Sequence, residues 1–153
     1  KEADQALLAA EAGEEKKKDP GFLKGRRIML VEDNELNREI AYELLSESGL
    51  IVDVAENGQE AIKLLGIRPE NYYELIFMDI QMPVMNGYEA TANIRAGESD
   101  YWKTIPVIAM TANVFQEDES RAAECGMSDY VTKPIDMNVI YSVLEKWLRG
   151  QKG

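Results

Sequence analysis

Acidic residues close two short apolar runs in this chain, and a hydroxyl and an ammonium close two more. The run 28–31 leads into Glu32 and Asp33, and the run 75–78 into Asp79. The run 107–110 leads into Thr111, and the run 130–132 into Lys133 and Pro134. If these runs are parallel strands of one sheet, their ends share one edge. That edge would hold three carboxylates, a hydroxyl and an ammonium. Two close carboxylates repel each other and favour an intervening hard cation. Mg²⁺ keeps several of its waters, so Asp33, Asp79 and one carbonyl would suffice to hold it, with Glu32 reaching it through a water. A carboxylate is also a nucleophile toward phosphorus and gives an acyl phosphate. A metal beside it neutralises charge on the phosphoryl oxygens during in-line transfer. Thr111 can donate a hydrogen bond to such an oxygen, and Lys133 can supply a point charge. Each residue alone has a plainer reading. Glu32 and Asp33 also suit the positive end of a helix dipole, and Asp79 also suits an Asx-turn. The joint arrangement at successive strand ends is what favours chemistry.

The elements that must position these residues alternate strand and helix from Gly25 onward. Strands are expected at 27–31, 51–55, 75–78, 106–110 and 129–132. Asp53, inside the second, suggests an edge position. Helices are expected at 35–48, 58–65, 87–95, 114–125 and 136–148. Asn34 offers an N-cap to the first helix and Gly49 a stop. Leu36, Ile40, Leu44 and Leu45 fall at helical spacing within it. Ile140, Val143, Leu144 and Trp147 share one face of the last. Residues 66–74 and the stretch to Trp102 read as loops. Five strands alternating with five helices imply an α/β domain, a doubly wound parallel sheet covered on both faces. Right-handed crossovers put every strand's C-terminal end on one edge, where such sheets bind ligands.

The 153 residues suit one domain, expected at 25–149, with a leader or linker over 1–24 and a tail over 150–153. Residues 1–12 read either as a marginal helix, with Ala3, Leu7 and Ala10 on one side, or as a disordered leader. The chain begins without Met and without an apolar signal segment, so a piece of a longer protein is expected, with no output domain after its end. No apolar run approaches the length of a membrane span, so no membrane contact is expected. Cys125 stands alone, which excludes a disulfide framework and points to a reducing, cytoplasmic compartment. The net charge is −11, with no basic stripe to neutralise phosphates, so direct nucleic-acid binding is not expected. Histidine is absent altogether. Imidazole acid–base catalysis, imidazole metal ligation and phosphohistidine are thereby excluded within these residues, and phosphoryl chemistry must use carboxylates.

Val31-Glu32-Asp33-Asn34, residues 78–87 (Met-Asp-Ile-Gln-Met-Pro-Val-Met-Asn-Gly), residues 109–113 (Ala-Met-Thr-Ala-Asn) and Lys133-Pro134 resemble the motifs of response-regulator receiver domains. The resemblance spans about 25–149. It implies a flavodoxin-like (βα)5 fold with strand order 2-1-3-4-5. It implies Asp79 as phosphoacceptor, and Mg²⁺ on Asp33, Asp79 and the Gln81 backbone carbonyl, with Glu32 acting through water. Thr111 and Lys133 would contact the phosphoryl group, and Tyr130 would follow Thr111 in the switch. A cis peptide is expected before Pro134. The wording around Glu32 and Gln81 is similar to receivers of hybrid sensor histidine kinases; a stand-alone regulator is the alternative. Such a domain is not expected to turn over an independent substrate. Its phosphodonor would be a histidine kinase or histidine phosphotransfer domain outside these residues, docking at Leu36, Asn37 and Ile40. Leu36 and Ile40 could equally be core residues. A homodimer is left open. Asn86 stands where many receivers have Asp, and Gln81 and Asn113 occupy positions that tune phosphoryl lifetime. The stretches around Tyr72-Tyr73 and 98–104 are slightly long. A phosphohydrolase of the haloacid-dehalogenase type is the rival from another class, but Gln81 stands where it needs an acid.

Overall fold

The computed structural model describes residues 22–80, 82, 85–111, 116–133 and 135–149. Most of the expected leader, Gln81, Asn113 and Pro134 lie outside that set, and with them the Gln81 carbonyl and the peptide before Pro134.

Short β-branched and aliphatic runs form strands β1 (Arg27–Val31), β2 (Ile51–Ala55), β3 (Leu75–Asp79), β4 (Val107–Thr111) and β5 (Asp129–Thr132). They pair in parallel in the order β2-β1-β3-β4-β5. The central strands β1, β3 and β4 are almost wholly buried, as a parallel sheet covered on both faces requires. The edge strands β2 and β5 carry the polar residues Asp53 and Asp129. Period-two alternation splits the core in two. Ile28, Leu30, Phe77, Ile108 and Met110 face one side, while Met29, Val31, Ile76, Met78 and Ala109 face the other.

Helices α1 (Glu35–Glu47) and α6 (Met137–Leu144) cover the first side; α2 (Gly58–Ile67), α3 (Gly87–Arg95) and α5 (Gln116–Cys125) cover the second. Asn34 caps α1, its side-chain oxygen accepting from Asn37 N at 2.9 Å. Gly49 ends it at φ +103, a conformation that disfavours any side chain. α6 runs on into a wider π turn (Glu145–Arg149), where Leu148 is buried and Trp147 Nε1 donates to Asp129 Oδ2 at 3.0 Å.

Three expectations need amending. Of Leu36, Ile40, Leu44 and Leu45, the residues at helical spacing on α1, only Leu45 is fully buried. Ala41 and Leu45 are buried, whereas Leu36 is 65% and Ile40 49% exposed. The helix packs through the row of Ala41 and Leu45, which a periodicity shared by two adjacent rows cannot distinguish. Phe22 and Leu23, in the stretch read as leader, are buried with the α1–α6 core, and Phe22 meets Tyr141 edge-on. The stretch read as a loop to Trp102 contains a five-residue helix, α4 (Asp100–Thr104), capped by Ser99 and too short for a periodic signal. The two long stretches pack on each other. Tyr73 N donates to the Tyr101 hydroxyl at 2.9 Å, and the Tyr73 hydroxyl donates to Asp53 Oδ2 at 2.6 Å.

Candidate functional site

The C-terminal ends of β1, β3, β4 and β5 bring Glu32, Asp79, Thr111 and Lys133 to one edge. β1 and β3 are paired with Val31 opposite Met78, so the acids that follow sit side by side. Carboxylate oxygens of Glu32, Asp33 and Asp79 all lie within 4.8 Å of one another. Asp79 pairs in register with Met110, the residue before Thr111. Thr111 O accepts from Lys133 N at 2.8 Å, which ties the last two strand ends together.

Lys133 is the hub. Its ammonium sits 3.1 Å from Glu32 Oε1 and 3.1 Å from Asp79 Oδ1. Glu32 and Asp79 are each only 3% exposed, so neither charge is dissipated into solvent. Glu32 Oε2 also accepts from Asn34 N at 3.2 Å. One cation thus serves two buried anions. Burial, and then the Glu32 carboxylate beside it, push Asp79 up to about 7, and Lys133 offsets this only in part. Burial pulls the Lys133 ammonium down, but Asp79 and Glu32 outweigh it and the net shift is upward. Among the described residues, three carboxylates, when all are ionised, against one ammonium leave two negative charges, which a divalent cation would match. The donor set is all oxygen, as Mg²⁺ prefers.

The loop after β3 is held by a close approach. Gly87 N donates to Ile80 O at 2.8 Å, and a Cβ on Gly87 would stand 2.9 Å from Ile80 Cα and closer still to the Asp79 carbonyl. Asn86 opens α3 with a reciprocal cap. Its oxygen accepts from Glu89 N at 2.9 Å, and Glu89 Oε1 accepts from Asn86 N at 3.1 Å. The Asn86-x-x-Glu89 spacing was the legible signal for that cap; the need for glycine at 87 left no local signal. Arg38 was also missed. From α1 its guanidinium reaches the backbone carbonyls of the acidic pair.

The surface beside this edge is partly apolar. Leu36, Asn37 and Ile40 are exposed on α1. A cavity of about 280 Å³ beside Asn37 and Ile40 reaches the acidic site, lined by Glu32, Asn37, Ile40, Ala41, Lys133 and Ile135. Tyr130, on the edge strand, is 40% exposed. Among the described residues no helix is long and apolar enough to cross a membrane.

Residues 28–145 match the response regulator receiver domain family. The chain is 34% identical over 143 residues to hybrid signal transduction histidine kinase L of Dictyostelium discoideum, covering 93% of this chain and 8% of that protein. It spans only about a tenth of the length of the curated histidine kinases it matches. The receiver domain of the Pseudomonas aeruginosa sensor histidine kinase PA1611, solved with magnesium coordinated in its active-site cleft, superposes with a TM-score of 0.72 at 34% identity, covering 80% of this chain and 97% of that one. A Saccharomyces cerevisiae receiver, that of Ssk1 crystallised with the histidine phosphotransfer protein Ypd1, gives a TM-score of 0.71 at 31% identity, covering 82% and 90%.

Proposed function

The chain belongs to the response regulator receiver domain family, and from that membership and the geometry of its acidic edge we propose that it is a phosphoacceptor that takes a phosphoryl group onto Asp79. The observation that carries this reading is Lys133 bridging Glu32 and Asp79 at 3.1 Å each, with Asp33 beside them. Asp33 and Asp79 would hold Mg²⁺ directly, with the Gln81 carbonyl, and Glu32 through a water. When bound, the ion would neutralise charge on the phosphoryl oxygens.

Asp79 then attacks phosphorus of a phosphohistidine. An O–P bond forms as the donor's N–P bond breaks, and the electron pair leaves on the imidazole nitrogen. With Asp79 at about 7 when metal-free, ionisation and metal binding are linked: the cation favours the nucleophilic carboxylate. Lys133 transfers its ion pair from the carboxylate to the new phosphoryl group, and Thr111 donates a hydrogen bond to it. Those contacts draw the β4 and β5 ends inward, and Tyr130 follows. Shifting a two-state equilibrium from 1:99 to 99:1 takes about 5.5 kcal/mol. A few charge-assisted hydrogen bonds at about 1.5–3 kcal/mol each supply that.

The donor is a histidine kinase or phosphotransfer domain, because this chain has no histidine of its own. It docks on the exposed Leu36, Asn37 and Ile40, beside the cavity that Asn37 and Ile40 line together with Glu32 and Lys133. The parent protein is a cytoplasmic or membrane-bound hybrid histidine kinase with this domain in the cytoplasm, a reading supported by the hybrid kinase among its relatives. Incubation with acetyl phosphate and Mg²⁺ tests the chemistry. A single phosphoryl adduct, seen by intact-protein mass and lost in Asp79→Asn, is expected. Steady turnover of small phosphoesters would instead make the protein a hydrolase, and absence of both adduct and Mg²⁺ binding would make it an inert module.

A further inference from the structure

The Asp33 carboxylate is exposed, and among the described residues it has no hydrogen-bond or salt-bridge partner. Its direction therefore depends on the backbone of the short turn between β1 and α1. That turn is pinned from within α1. Arg38 Nη1 donates to Glu32 O at 2.9 Å and lies 3.4 Å from Asp33 O, while Nη2 lies 3.8 Å from Glu56 Oε2. The Arg38 side chain is only 16% exposed. One planar fork thus joins the two carbonyls of the acidic pair to the turn that follows β2, a geometry that a lysine head cannot reproduce.

We propose that Arg38 is a positioning residue for the metal, holding the Glu32–Asp33 backbone so that the Asp33 carboxylate faces Asp79. This rests on the reading of the acidic edge as an Mg²⁺ site. It also makes a prediction opposite in sign to simple electrostatics. A guanidinium near a dication repels it, so deleting Arg38 would tighten Mg²⁺ binding if charge were its only contribution. Deleting a positioning residue weakens binding, as loss of an outer-shell partner does, by about 10–100-fold.

The experiment titrates Mg²⁺ into the wild-type protein, Arg38→Ala and Arg38→Lys, by calorimetry, with urea unfolding in EDTA as the measure of folding. Expected is a Kd raised about tenfold or more in Arg38→Ala. Arg38→Lys, which keeps the charge but loses the fork, should fall between that variant and the wild type. Both variants should unfold cooperatively in EDTA. Unchanged or tighter binding in Arg38→Ala would overturn the proposal, as would a lysine variant that binds like the wild type. A loss of affinity that merely tracks loss of folded protein would overturn it too. If the wild type itself binds no Mg²⁺, the reading of the acidic edge fails with it; if the wild type binds and only the Arg38 effect is missing, that reading survives.

Discussion

With metal chelated, this protein should lose stability as pH rises from 5 to 8, and Asp79 is the cause. In the folded chain burial, with Glu32 beside it, lifts Asp79 to about 7 from an ordinary 3.8. Between those values the folded state holds a proton that the unfolded state has released, so raising the pH favours unfolding. The stabilising contribution is complete below the unfolded value and is lost as pH climbs through 7. From pH 5 to 8 the chain crosses about two units at full slope, at about 1.4 kcal/mol each, a loss on the order of 3 kcal/mol. There is no histidine to titrate between pH 5 and 8, and burial pushes the Cys125 thiol up and away from that window. Urea unfolding in EDTA at pH 5, 6, 7 and 8 measures the effect. Asp79→Asn, neutral at every pH, should flatten the profile. Lys133→Met removes the ammonium that pairs with both acids, so the decline should extend beyond pH 8. Mg²⁺ at 100 times its Kd should restore about 2.7 kcal/mol on the alkaline side. Stability that is flat or rises between pH 5 and 8, or an Asp79→Asn protein that keeps the wild-type slope, would refute the reasoning.

Gly87→Ala forces a methyl against the Ile80 backbone and the Asp79 carbonyl. A cost of about 1–3 kcal/mol and slower phosphorylation by acetyl phosphate are expected, read by urea unfolding and intact-protein mass. Tyr73→Phe deletes the 2.6 Å hydrogen bond to Asp53 on the edge strand β2. It should cost about 1 kcal/mol in the same unfolding assay while leaving the acetyl phosphate rate unchanged. Leu36→Ala with Asn37→Ala should slow phosphotransfer from a histidine phosphotransfer protein several-fold but not phosphorylation by acetyl phosphate; an unchanged protein-to-protein rate would remove α1 as the docking face.

The alternation of strand and helix, the edge position of β2 and the identity of the four strand-end groups were all legible in the sequence. They rest on periodicities of two and 3.6 residues and on cap residues, which are properties of contiguous stretches. The inward row of α1 was legible only at Leu45: Leu36 and Ile40 share its helical spacing yet lie exposed, and only the sheet beneath the helix selects the row through Ala41 and Leu45. The Tyr73–Tyr101 contact and the reach of Arg38 back to Glu32 were not legible, since a side chain's partner is set by folded distance and not by spacing along the chain. The sequence by itself determined which groups could do chemistry, and that no imidazole is among them. The tertiary structure decided that two of the acids are buried beside the Lys133 ammonium. Burial and Coulomb energy depend on surroundings assembled from strands distant in sequence, and those surroundings lift Asp79 toward neutrality.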